Sequence, residues 1–250
     1  MQWGTSAACD KGDTMTTTDI RRANDRARTR TDWLDSKHSF NFGDHLQPGN
    51  DGHGTLVVFN DDRVAGGGGF GVHGHRDMEI VTWVLKGRLA HQDSEGNTGE
   101  LYPGLAQRMS AGRGIRHSEM NASRTEEVRC FVQMWITPDT LARNPGYEQL
   151  DMNTTLQSGG MHAVGHPGAI RIGQRDATPW VGRLHPGEPV VMPNGHHVHL
   201  FVATGNLTGN GENARVGTLA EGDAMRLTDA PAIDAMAGTN SAEVLAWVMN

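Results

Sequence analysis

The stretch "FGVHGHRDMEIVTWVLKG", residues 70–87, sets two histidines either side of a glycine and then runs into apolar, β-branched residues. In an extended strand residues i and i+2 point to the same face, so His73 and His75 project together while Gly74 takes the other side. Two convergent imidazoles are half of a metal site. The stretch "GIRHSEMN" (114–121) repeats the spacing with His117 and Glu119. If the two strands face each other, three neutral imidazoles and one carboxylate surround a point. That donor set suits one divalent cation, iron(II) first, with nickel, manganese or zinc as alternatives, and leaves positions for water, substrate or dioxygen. A lone His-x-His is common on β surfaces. Two same-face pairs about forty residues apart, fenced by Gly69, Gly71, Gly112 and Gly114, point instead to a site where backbone turns tightly. Strand parity also puts Glu79 on the face of His73 and His75, so Glu79 rivals Glu119 as the carboxylate. His91 reads as a hydrogen-bonded or solvated side chain.

Outward from this stretch, short apolar runs alternate with Gly, Asn, Asp and Pro clusters, which is an all-β pattern. Candidate strands in the first half are 55–59, 79–85, 88–92, 107–111, 115–120 and 127–136. "TPDTLARNPGYEQL" (137–150) has two prolines and no strand periodicity, so it reads as a linker with a turn or two of helix. The rhythm resumes at 169–174, 196–203, 206–209, 214–220, 224–228 and 243–249, predicting two β-barrels or sandwiches in tandem. "IRRANDRAR" (20–28) is the other helix candidate. The second half carries His197 and His199 in "NGHHVHL" (194–200), but 220–233, where a partner strand should lie, has no histidine, so that half reads as metal-free. "GFGVHG" (69–74) fits G-x-G-x-x-G, yet a β run follows where a dinucleotide site needs a helix N-terminus.

Composition excludes several classes of function. A net charge of −7 over 250 residues gives no broad basic surface for nucleic acid or anionic membrane. The basic run "RRANDRARTR" (21–30) is interrupted by Asp25 and reads as a solvated segment. With only Cys9 and Cys130 there is no disulfide framework, and Cys130 sits in an apolar run as a small core residue. No apolar run approaches the ~20 residues of a membrane span, and no secretory segment opens the chain. The expectation is a soluble, cytoplasmic monomer.

The run "FGVHGHRDMEIVTWVLKGRLAHQDSEGNTGELYPGLAQRMSAGRGIRHSEMN" (70–121), with "WLDSKHSFNFGDH" (33–45), "NDDRVAGGGGFG" (60–71), "WITPD" (135–139) and "GYEQ" (146–149), closely resembles the pirin family of bicupins. Gly74, where proline is usual, and "PGLAQ" (103–107) depart from the family pattern without removing a donor. The resemblance implies an all-β fold of two tandem cupin barrels. Residues 1–19 would be a flexible extension, 20–136 the metal-bearing barrel, 137–150 the linker and 151–250 the metal-free barrel. It implies that His73, His75, His117 and Glu119 hold iron, favouring Glu119 over Glu79, with either glutamate available as general base. It also implies a quercetin 2,3-dioxygenase-like activity on a flavonol-like aromatic substrate and dioxygen. The competing implication is an iron-binding regulatory protein that docks on a transcription factor or metabolic enzyme.

Overall fold

The computed structural model describes residues 17–125, 128–165, 169–209, 217–229 and 232–250. Cys9 and the side chain of Cys130 lie outside the described residues. The chain runs β1 (Thr17–Arg21), β2 (Ala27–Arg30), β3 (Leu34–His38), β4 (Leu56–Val64), β5 (Gly69–His75), β6 (Glu79–Val84), β7 (Leu89–Asp93), β8 (Thr98–Leu101), β9 (Leu105–Ser110), β10 (Ile115–Asn121), β11 (Val128–Ile136) and β12 (Gly146–Asp151). After the one-turn helix α1 (Asn153–Leu156) come β13 (Met161–Ala163), β14 (Ala177–Leu184), β15 (His197–Thr204), β16 (Asn206–Gly209), β17 (Leu219–Ala220), β18 (Ala224–Thr228), β19 (Ala235–Ala237) and β20 (Ala242–Met249). Among the described residues no helix is long and apolar enough to cross a membrane.

The fold is all-β, as the strand rhythm predicts. In the first half a seven-stranded sheet, β12-β9-β6-β11-β4-β3-β2, packs over a four-stranded sheet, β5-β10-β7-β8. The second half repeats the plan with six strands, β1-β18-β15-β20-β14-β13, and three, β17-β16-β19. Each half is thus a pair of sheets rather than a barrel closed by hydrogen bonds. The two large sheets meet face to face. Phe59, Val81, Trp83, Val132 and Met134 share one buried cluster with Phe201, Leu245, Trp247 and Met249. Each large apolar side chain so buried contributes about 1.5–3 kcal/mol. The Trp83 indole crosses the seam and donates to Glu243 at 2.6 Å.

Several expectations are corrected. Thr17–Asp19, placed by the sequence in a flexible extension over 1–19, belong to β1, which pairs with β18 in the sheet of the second half; residues 1–16 lie outside the described set. The segment read as a helix at 20–28 is strand, turn and strand, and Arg26 is buried there, donating to Asp61 at 2.7 Å and to the Lys37 carbonyl at 2.8 Å. The linker shortens, because Gly146–Asp151 form β12 on the edge of the large sheet and α1 falls after it. Residues 169–174 make an isolated bridge at Ile170 rather than a strand. A strand was missed at β14, whose Pro179 and Gly182 read as breakers. Pro179 is tolerated because β13 ends opposite Trp180, so no strand claims the missing N–H, and its carbonyl accepts from Val164 at 2.8 Å.

The other face of the seven-stranded sheet is the interior of the first half, and it is layered. Leu34, Val64, Val84 and Phe131 meet Leu89 and Leu101 at one end, and Ile80 and Met109 meet Ile115 at the other. Between them the registers place Gln107, Thr82, Gln133, Asn60 and His38 side by side across five strands. All five are buried, as is Asp62 beside them.

Burial, with the charge of Asp61 adding to it, pushes the Asp62 carboxyl up to about 7 against a hydrogen bond from Ser36. Between the ordinary carboxylate range near 3.9 and about 7, the unfolded chain releases this proton while the folded chain keeps it, so stability falls as pH rises across that window. Asp62→Asn keeps the shape without the titration. Its melting temperature relative to the parent should therefore increase from about pH 5 to about pH 8; an offset equal at both would show that Asp62 is not the source.

Candidate metal centre

The small sheet of the first half faces this polar band, and β10 lies at its middle with β5 on one side and β7 on the other. Burial along β10 alternates, and its interior positions are Ile115, His117, Glu119 and Asn121. On one flank His117 is paired with His73; on the other Glu119 is paired with His91. The β5–β10 register shifts between His117 and Glu119, a bulge that breaks regular pairing beside the cluster. Its Gly71 carbonyl accepts from His73 Nδ1 at 2.8 Å. That bond fixes the neutral tautomer with the Nε2 lone pair free.

Three of the four expected donors converge. The ring centroids of His73, His75 and His117 lie 4.4–4.9 Å apart, and one ring nitrogen from each falls within 4.8 Å of the others. Glu119 stands beside this set but groups by the same distance with His117 and His91. Its Oε2 accepts from the Gln133 amide, and Gln133 Oε1 in turn accepts from the Trp135 indole at 3.3 Å. Trp135 packs edge-to-face on His75 at 4.8 Å, and Phe42 packs on Trp135 at 5.8 Å. His75 also lines a surface recess with Arg76, Ser94, Ile115 and Arg116, so the cluster reaches solvent on this side.

The electrostatics favour a cation. Both ring nitrogens of His117, Nδ1 of His91 and Oε1 of Glu119 are buried without a hydrogen-bond partner. A buried polar atom left unpaired costs about 1–3 kcal/mol, so a group that accepts one lone pair from each of these three side chains fits the donors present. Burial, reinforced by neighbouring imidazoles, lowers His75 to about 4 and His117 to about 2. They therefore stay neutral, as ligation requires, well below the ordinary imidazole value of about 6.5. Burial pushes Glu119 up to about 8 despite the Gln133 hydrogen bond, with the charge of Asp62 adding to the rise.

Glu79 is not part of this cluster. Between His75 and Glu79 the chain leaves the small sheet and enters the large one, with Asp77 in the left-handed region at φ 50°, so strand parity does not carry across. Glu79 accepts from Ser110 at 2.8 Å and lines a separate cavity with Arg108, Glu148 and Arg171. His197 and His199 do not point into the second interior, which Val198, Leu200 and Val202 fill. They face the first half: His199 lies 4.5 Å from the Phe59 ring and 5.7 Å from Phe40, and His197 packs on His53 at 4.8 Å.

Sequence reading named His91 only as a hydrogen-bonded or solvated side chain and missed Gln133, Trp135 and Tyr147. His91 is buried, with Nε2 3.4 Å from Asp93 and its ring stacked on Tyr147 at 5.1 Å. The available signal was Gln133 inside "FVQMWI" (131–136), a polar residue in an otherwise apolar strand, which calls for a buried partner.

Residues 21–136 match the sequence profile of the family described as Pirin. A Mycobacterium tuberculosis protein named "Putative quercetin 2,3-dioxygenase" is 52% identical over 239 residues, covering 94% of this chain and 96% of that protein. An Escherichia coli O157:H7 protein named "Quercetin 2,3-dioxygenase" is 38% identical over 232 residues, 90% of this chain and 96% of its own. The crystal structure of the Escherichia coli bacterial pirin YhhW in complex with nickel(II) superposes with a TM-score of 0.83 at 35% identity, covering 93% of this chain and 99% of that one. With similarity of this extent over nearly the whole length, the chain belongs to the pirin family.

Proposed function

We propose that the chain is a metal-dependent dioxygenase that opens the central ring of flavonols such as quercetin, with His73, His75, His117 and Glu119 holding one divalent metal, iron(II) in this reading. The observation that carries it is the convergence of His73, His75 and His117 to within 4.8 Å beside a buried glutamate, at the edge of an opening to solvent. The names of the relatives support the substrate class. The metal would act as a Lewis acid that favours the deprotonated flavonol 3-hydroxyl. The net reaction balances without a reductant: flavonol and dioxygen become a carboxylic ester and carbon monoxide.

The protein's own residues have defined parts in this reading. The Gly71 carbonyl holds His73 so that Nε2 faces inward. Gln133 occupies one oxygen of Glu119, leaving Oε1 to ligate or to take the substrate proton. As general base Glu119 would work with its affinity for protons raised by burial, which brings a carboxylate toward the pKa such a group needs near neutral pH. Trp135 and Phe42 pack in turn behind His75 and form an aromatic wall beside the cluster.

The direct test supplies iron(II), quercetin and dioxygen to the full chain and measures carbon monoxide against oxygen consumed. One carbon monoxide released per dioxygen taken up supports the reading. Metal-loaded protein that leaves quercetin untouched contradicts it and favours the binding role.

His117→Ala removes the residue common to both donor groups. Metal retention and turnover should both be lost, while near-UV circular dichroism stays native because the apolar layers at either end of the interior are untouched. Glu119→Gln keeps the volume and removes the base, so turnover should fall about 10²–10⁴-fold with metal still bound at reduced affinity. Activity that survives Glu119→Gln and is destroyed by Glu79→Gln would show the carboxylate to be wrongly assigned.

A further inference from the structure

Among the described residues, His91 is an imidazole beside this cluster that the proposed ligand set does not use, yet it is built as a donor. It lies opposite Glu119 on β7, just as His73 lies opposite His117 on β5, so the central strand β10 has an imidazole on both flanks. Its Nε2 faces the Asp93 carboxylate at 3.4 Å. That carboxylate is in turn fixed by the backbone N–H groups of Glu95 and Asn97, at 3.0 and 2.9 Å, and by the Asn97 amide at 2.9 Å. An acceptor beside Nε2 puts the proton there and leaves the Nδ1 lone pair free. That Nδ1 is buried and without a partner, and so are Glu119 Oε1 and both nitrogens of His117. One donor atom from each of these three residues lies within 4.8 Å of the others.

A water molecule could sit among these atoms, but it has only two protons to offer. Three converging lone pairs are fully met by a cation, and two imidazoles with one carboxylate form a donor set that suits a divalent first-row metal. We propose that His91, His117 and Glu119 form an inner metal position that shares His117 and Glu119 with the ligand set above, so that one ion has an outer and an inner seat. The two differ in exposure: the outer seat adds His73 and His75 and reaches solvent through His75, whereas the inner seat replaces them with His91 and is buried throughout.

This inference rests on the metal-centre reading above, and cobalt(II) alone as the probe separates the two. Equilibrium dialysis and the visible d–d spectrum of the full chain are read for the parent, for His73→Ala/His75→Ala, and for that double variant with His91→Phe added, which keeps the ring on Tyr147 but removes both nitrogens. The double variant should retain one equivalent of cobalt with an altered spectrum, and the added His91→Phe should abolish it. A double variant that binds no cobalt, or one whose cobalt survives the loss of His91, overturns the inner position while leaving the outer one standing. A parent chain that binds no cobalt overturns both. Circular dichroism confirms folding of each variant; should His91→Phe disturb it, His91→Ala in the same background gives the same readout with the opposite change in volume.

Discussion

Nitrogen and oxygen lone pairs buried where the protein offers them no proton are the constraint around which the first half is arranged. Each costs stability while unmet, and nothing in packing alone calls for them. The surrounding residues explain how the cost is held in place. The Gly71 carbonyl takes one side of His73, Asp93 one side of His91 and Gln133 one oxygen of Glu119, so each donor has a single orientation and one free atom. The apolar layers above and below carry the stability that this polar band does not.

The two halves show how little sequence separates a donor-lined interior from an apolar one. They share a large sheet packed on a small one, but in the second half the alternation along β15 runs the other way. Val198, Leu200 and Val202 fill the interior while His197 and His199 turn outward to the seam. Because the side-chain period of a strand is two, a shift of one position moves an entire histidine pair from a cavity to an interface. His199 is accordingly an aromatic packing residue, neutral because burial and the nearby Arg226 charge depress its pKa strongly.

Much of the site was legible in the sequence because it rests on local rules. His73 and His75 lie within one strand, as do His117 and Glu119, and alternation decides their facing without tertiary information. Glu79 shows the limit of that alternation, because it lies on a different strand. The rule holds only while the strand continues, and a turn at Asp77 separates β5 from β6. His91 and Gln133 were not legible because their role depends on which strands become neighbours, a matter of topology that alternation does not carry. The all-β class followed from rhythm, whereas β1 and β12 escaped notice because edge strands are half-exposed and lack a strong apolar alternation.

The central claim is that a metal completes the imidazole cluster of the first half. X-ray absorption at the metal edge of the iron-loaded full chain tests it most directly. The account predicts first-shell nitrogen and oxygen scatterers at about 2.0–2.2 Å together with the outer-shell multiple scattering that imidazole rings produce, lost in His117→Ala. A bound metal surrounded by oxygen alone, with no imidazole signature and no dependence on His117, would contradict it.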